Sequence, residues 1–141
     1  MRRLAWGFVV LAMTAVALAG CGKNDSKEAA ARTAKCPVAP AALAGPSGLP
    51  SGFPVAGGTV LTETKAAGPS TIVSGYAERS LTDVYNASKQ ALSSAPYSVT
   101  KSEHDAHDAE IAFAGPGTTG QVKLGEACEG RTSVTITVRP A

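Results

Sequence analysis

Thr132-Ser133-Val134-Thr135-Ile136-Thr137-Val138-Arg139 alternates without a break. Val134, Ile136 and Val138 take one side and Ser133, Thr135 and Thr137 the other, which is the pattern of a strand with one buried and one wet face. Working back toward the N-terminus, further strand-like stretches run over Gly120–Glu126, where Val122 and Leu124 share a side, over Ala109–Ala114 and over Tyr97–Ser102. Further back, Val60–Lys65 reads as a strand, Ala66–Ser70 as a turn and Thr71–Ala77 as the hairpin partner.

Between these two groups the period changes. Leu81, Val84, Tyr85, Ser88, Ala91, Leu92 and Ala95 recur at three-to-four spacing and so lie on one helical face. Ser80 and Asp83 form an S-x-x-D capping box at its start, and Pro96 ends the helix by disfavouring the helical conformation at Ala95. Strand-strand-helix followed by three or four strands with short connections predicts an α+β domain. The expected form is a single mostly antiparallel β-sheet of five or six strands, covered on one face by one amphipathic helix. Residues 58–141 suffice for one modest core. Gly115-Pro116-Gly117-Thr118-Thr119-Gly120 satisfies G-x-G-x-x-G, but a strand pattern follows it instead of the helix start that a pyrophosphate needs, so it is expected to be a hairpin turn.

Ahead of the domain lie three segments of different composition. Residues 36–57 are rich in Pro and Gly, with Pro37, Pro40, Pro46, Pro50 and Pro54, a density that neither a helix nor a central strand tolerates. An extended lead-in is expected, with Phe53 and Val55 as its anchors in the core. Residues 21–35 are charged and alanine-rich with no large apolar side chain, and read as a flexible tether spanning about 20 Å. Residues 1–20 begin with Arg2 and Arg3 and continue through an uncharged apolar run, Leu4 to Leu18, to Leu18-Ala19-Gly20-Cys21. Charged start, apolar middle and small residues before the cleavage point make an export signal. The last four residues resemble the lipobox of bacterial lipoproteins. That resemblance implies that Cys21 is lipidated after the signal is removed and that the protein is exported and held on the extracytoplasmic side of the cell membrane. The alternative, a permanent transmembrane anchor, needs about 20 apolar residues, and Gly20, Gly22 and Lys23 close the run early. The folded part resembles small envelope lipoproteins in general layout, and no family motif for catalysis comes with that likeness.

Processing changes what composition implies. The full chain has 13 Lys+Arg against 11 Asp+Glu, and losing Arg2 and Arg3 leaves 11 against 11. From Cys36 onward there are 7 basic and 9 acidic residues, so the folded part lacks the basic excess of a nucleic-acid binder. Trp6, Met1 and Met13 all belong to the signal, which removes thioether copper ligands and leaves Tyr76, Tyr85 and Tyr97 for any stacking on sugars. Of the three cysteines, Cys36 and Cys128 remain as a pair in an exported chain, which favours a disulfide enclosing most of the domain. The alternative, a redox or metal thiolate pair, lacks a C-x-x-C spacing and an adjacent histidine.

One cluster has ligand chemistry. Glu103-His104-Asp105-Ala106-His107-Asp108-Ala109-Glu110 holds both histidines, and His104, Asp105, His107 and Asp108 would suit a borderline metal such as zinc if the stretch forms a tight turn. A polar hairpin tip shaped by solvation alone has the same composition. No G-x-S-x-G nucleophile elbow occurs. Three function classes follow. The first is a lipid-anchored, non-enzymatic binding or protein-interaction module, without a cofactor, whose partner is an envelope protein, a lipid or a small ligand on the exposed sheet face. The second is an envelope metal-binding protein using the 103–110 turn, and the third a small envelope enzyme without a recognisable motif. Cys21→Ser is expected to release the protein from the membrane fraction. Fractionation with intact-mass measurement checks this, and a mature N-terminus away from Cys21 would contradict the lipobox reading.

Overall fold

Six strands and two helices follow one another in the computed structural model, which describes residues 23–141. The lipobox, Cys21 and the signal lie outside the described residues. The elements are α1 (Lys23–Thr33), β1 (Thr59–Ala67), β2 (Ser70–Ala77), α2 (Leu81–Ser93), β3 (Ser98–His104), β4 (Asp108–Gly115), β5 (Thr118–Cys128) and β6 (Arg131–Pro140). The strands form one sheet in the order β1-β2-β6-β5-β4-β3, antiparallel at every pairing. β3 to β6 are a meander, and β6 returns beside β2, so α2 carries the chain from the β1–β2 hairpin to the opposite edge. The α+β sheet expected from the sequence is therefore present, with six strands.

Period two places the core. Val73, Val122 and Ile136 stand side by side across β2, β5 and β6, with Ile111 next on β4. All four are buried, as are Leu124, Val134, Val138 and Phe113 on the same side. Leu81, Val84 and Leu92 of α2 join this cluster, which is the helical face expected from their spacing. Ser80 is the N-cap: its hydroxyl accepts from the Asp83 amide and donates to the Asp83 carboxylate at 2.7 Å. Phe53, from the lead-in, packs edge-on to Tyr97 at 5.2 Å and against Phe113 at 5.3 Å. Leu49 and Val55 pack beside it. Lead-in residues and α2 thus share one core with the sheet.

Residues 34–58 form neither helix nor strand, and they wrap the outer edge of β1. The Leu43 amide donates to the Leu61 carbonyl at 2.7 Å, and the Thr64 hydroxyl to the Ser47 carbonyl at 2.8 Å. Such cover occupies strand groups that would otherwise be open to another chain. The far edge is protected differently, by a bulge between Val99 and Lys101 and by the Lys101 charge itself.

Within the stretch read from the sequence as a flexible tether, Lys23–Thr33 is helical. Glu28 to Ala31 are strong helix formers and Glu28 pairs with Arg32 one turn on at 3.7 Å. An 11-residue helix is marginal alone, and this one is docked, with the Glu129 amide donating to the Ala34 carbonyl at 3.0 Å. The described residues therefore hold two helices, α1 ahead of the lead-in and α2 within the 58–141 domain. The G-x-G-x-x-G stretch is a hairpin, as expected, with the β4–β5 turn at Pro116-Gly117 and Gly117 at φ 65°.

Ile136 is 2% exposed, whereas Thr135 and Thr137 are half-buried. Ile136→Ala is expected to cost about 2 to 4 kcal/mol through lost burial and a residual cavity. Thr135→Ala and Thr137→Ala should each cost under about 1 kcal/mol. Gly120→Ala should cost about 1 to 3 kcal/mol, since its methyl would meet the Thr137 carbonyl and lie 2.7 Å from the Phe113 ring. Urea melts of the four variants check these values, and equal losses at 135 and 136 would show that both faces are equally buried.

Candidate functional site

The histidine turn comes first because it was the sequence's best ligand cluster. β3 runs through His104 and β4 begins at Asp108, so only Asp105 to His107 turn, closed by the Asp105 amide donating to the Asp108 carbonyl at 2.8 Å. The two histidines then diverge. His104, paired with Ala109 on the α2 side of the sheet, lies edge-on to Tyr85 at 4.9 Å with Nε2 3.3 Å from the Thr82 hydroxyl. His107 Nδ1 lies 2.7 Å from the Glu126 carboxylate on β5. Of the segment's four acids, Glu103 pairs with Lys101 at 2.8 Å and Glu110 with Lys123 at 3.4 Å. The hydrogen bond and charge of Glu103 hold the Lys101 ammonium above its ordinary pKa. Among the described residues, no three His, Cys, Asp or Glu side chains come together as a metal site. His104, Asp105, His107 and Asp108 are thus not gathered around one point in this structure: His104 ends β3, Asp105 and His107 lie in the turn and Asp108 begins β4.

Cys36 and Cys128 are bonded, with Cα atoms 5.2 Å apart. In the chain-entropy account, a loop of this length contributes roughly 4 to 5 kcal/mol. The bond pins the lead-in to the β5–β6 end of the sheet, and Arg131 reinforces it. Its guanidinium stacks on Tyr76 at 5.0 Å, donates twice to one Glu78 oxygen at 2.6 and 2.9 Å, and donates to the Pro37 carbonyl at 3.0 Å. The hydrogen bond to Glu78 raises its already high pKa further. Beside this clamp lies a cleft of about 470 Å³ between α1 and the end of the sheet, bordered by Ala29, Arg32, Leu81, His107, Glu126 and Thr132. Its polar groups are largely satisfied internally: Arg32 by Glu28, His107 by Glu126, and the Thr132 hydroxyl by the Arg79 carbonyl at 2.9 Å.

The face of the sheet away from α2 is different. Strand register sets its side chains in rows. One row runs Ser70, Arg139, Thr119, Ala114 and Ser98. The next runs Ile72, Thr137, Gln121, Ala112 and Lys101, and a third holds Ser74, Thr135, Lys123, Glu110 and Glu103. A trough of about 460 Å³ lies along the first two rows, with Ala112 and Ala114 in its floor and Ser70, Thr119, Gln121, Thr137 and Arg139 among its lining residues. Arg139 Nε donates to the Thr119 hydroxyl at 3.2 Å, which orients the guanidinium. No carboxylate among the described residues forms an ion pair with it. The trough therefore offers hydroxyl and amide groups and one oriented, unpaired cation, which is recognition chemistry.

Sequence reasoning singled out the histidine turn and missed Arg139, Thr119 and Gln121. The alternation of Thr135, Thr137 and Arg139 carried part of the signal, but the neighbours across β5 and β4 depend on register. Zinc added to the chelator-treated protein is expected to show no stoichiometric uptake by calorimetry. One-to-one binding lost in His104→Ala and His107→Ala would restore the metal reading. Comparisons with protein-family models, with curated proteins and with solved structures find no match.

Proposed function

We propose that this protein is a lipid-anchored, extracytoplasmic binding module of the bacterial cell envelope, which engages its partner on the sheet face opposite α2. In this reading α2 and the lead-in are the cover of one face, and the other is left open for recognition. The observation that carries it is the contrast between the two faces. Inward rows are buried, whereas Ser133, Lys123, Lys101 and Glu103 are exposed and Thr137, Gln121 and Ala112 only half-buried around the trough.

Two further features support it. The lipobox before α1 provides an anchor that needs no membrane-spanning helix, and no helix among the described residues is long and apolar enough to span. A Cys36–Cys128 disulfide suits the oxidising side of the membrane. α1 is docked at the Cys128 end of the sheet. The trough lies toward the other end, beside the β1–β2 and β4–β5 turns, where a partner has access. A photo-crosslinking residue placed at Thr137 or Gln121 in intact cells is expected to give discrete adducts. The same residue at Asn86 or Gln90, on the exposed side of α2, should give none. Adducts from α2 alone, or from neither face, would reject the open-face reading.

A further inference from the structure

The trough has a polarity that narrows its ligand. Arg139 is its single cation, and Ser70, Thr119, Gln121 and Thr137 bring hydroxyls and an amide but no negative charge. Lys123, the cation of the third row, is already paired with Glu110 at 3.4 Å. The Thr119 hydroxyl takes Nε of Arg139, so the two terminal nitrogens are left pointing out as a fork, the arrangement that binds a carboxylate with two parallel hydrogen bonds. An amide such as Gln121 both donates and accepts, as a peptide group does. Ala112 and Ala114 leave room for a backbone to lie close to the sheet. A sugar acid would lack a stacking surface here. Tyr97 is in the core, Tyr85 faces His104 on the α2 side, and Tyr76 is covered by Arg131.

We propose that the trough is a subsite for the C-terminal carboxylate of an extended peptide, with Arg139 holding the carboxylate and Gln121, Thr137 and Thr119 positioned along the last peptide groups. The proposal rests on the open-face reading and adds the chemical class of the ligand.

The test uses the full lipidated chain in detergent micelles and two probes, acetyl-Ala-Ala-Ala with a free C-terminal carboxylate and the same peptide as the carboxamide. The free acid is expected to shift the backbone amide resonances of Thr119, Gln121, Thr137 and Arg139. The carboxamide should bind about tenfold more weakly or worse, because charge-assisted bonds are roughly twice as strong as neutral ones. Arg139→Gln should lower affinity for the acid by a similar factor and leave affinity for the carboxamide unchanged. Arg139→Lys should recover only part of the loss, since an ammonium lacks the fork. Resonances outside the trough report whether each variant is folded. Equal binding of acid and carboxamide, or acid binding indifferent to Arg139→Gln, overturns the proposal. If neither peptide shifts the trough while crosslinking from Thr137 persists, the carboxylate assignment falls and the open-face reading stands. If both are absent, both fall.

Discussion

Burial of one side of a six-stranded sheet is the constraint on which the rest of this structure depends. Val73, Ile111, Phe113, Val122, Leu124, Val134, Ile136 and Val138 stand on that side, and each side chain of this kind removed from water contributes about 1.5 to 3 kcal/mol. A sheet with so apolar a side needs a cover, and 13-residue α2 contributes only a narrow stripe, Leu81, Val84, Ser88 and Leu92. The lead-in makes up the difference with Leu49, Phe53 and Val55. Its proline-rich composition is consistent with this task. An extended chain crossing the edge of a sheet brings few side chains inward, and here one of them is a phenylalanine seated between Tyr97 and Phe113.

Holding an irregular segment in place needs specific ties, since it lacks a hydrogen-bond ladder of its own. Cys36–Cys128 is one, and the Arg131 fork on Glu78 and Pro37, stacked on Tyr76, is another. Both act at the same end of the sheet. There the side chain of Arg131 is only 10% exposed, and a cation so enclosed requires the carboxylate and carbonyl that meet it. The same end receives α1 through the Glu129–Ala34 hydrogen bond, so this helix joins the domain at a defined place.

The two concave regions differ in how their charges are settled. In the cleft beside α1, Arg32, His107 and Arg131 each meet a carboxylate, and Arg79 donates to the Gly57 carbonyl at 3.3 Å. In the trough on the opposite face, Arg139 has a hydroxyl and no acid. A charge compensated from within has little to gain from a ligand, while an oriented and unpaired guanidinium retains its hydrogen-bonding capacity. The two cavities are of nearly equal volume, about 470 and 460 Å³.

Much of the fold was legible in the chain because it depends on short-range periodicity. Alternation in Thr132–Arg139 and the three-to-four spacing from Leu81 to Ala95 identify β6 and α2 locally, and Ser80 and Pro96 bound the helix by backbone chemistry alone. The pairing of Cys36 with Cys128 was expected because they are the two cysteines outside the lipobox-like motif. α1 was not legible: Lys23–Thr33 holds no large apolar side chain, so no apolar stripe marks a helix, and docking against the Glu129 turn supports so short a helix. His104 and His107 were adjacent enough in sequence to suggest one site. The β3–β4 turn carries them apart, His104 beside Thr82 and His107 beside Glu126. Arg139, Thr119, Gln121 and Thr137 are up to 20 positions apart in the chain and became neighbours only through the β5–β6 register. Local spacing thus determined which segments are strands and helix. Tertiary structure decided which side chains meet, because a row across a sheet joins residues by pairing, and pairing is a property of the assembled sheet.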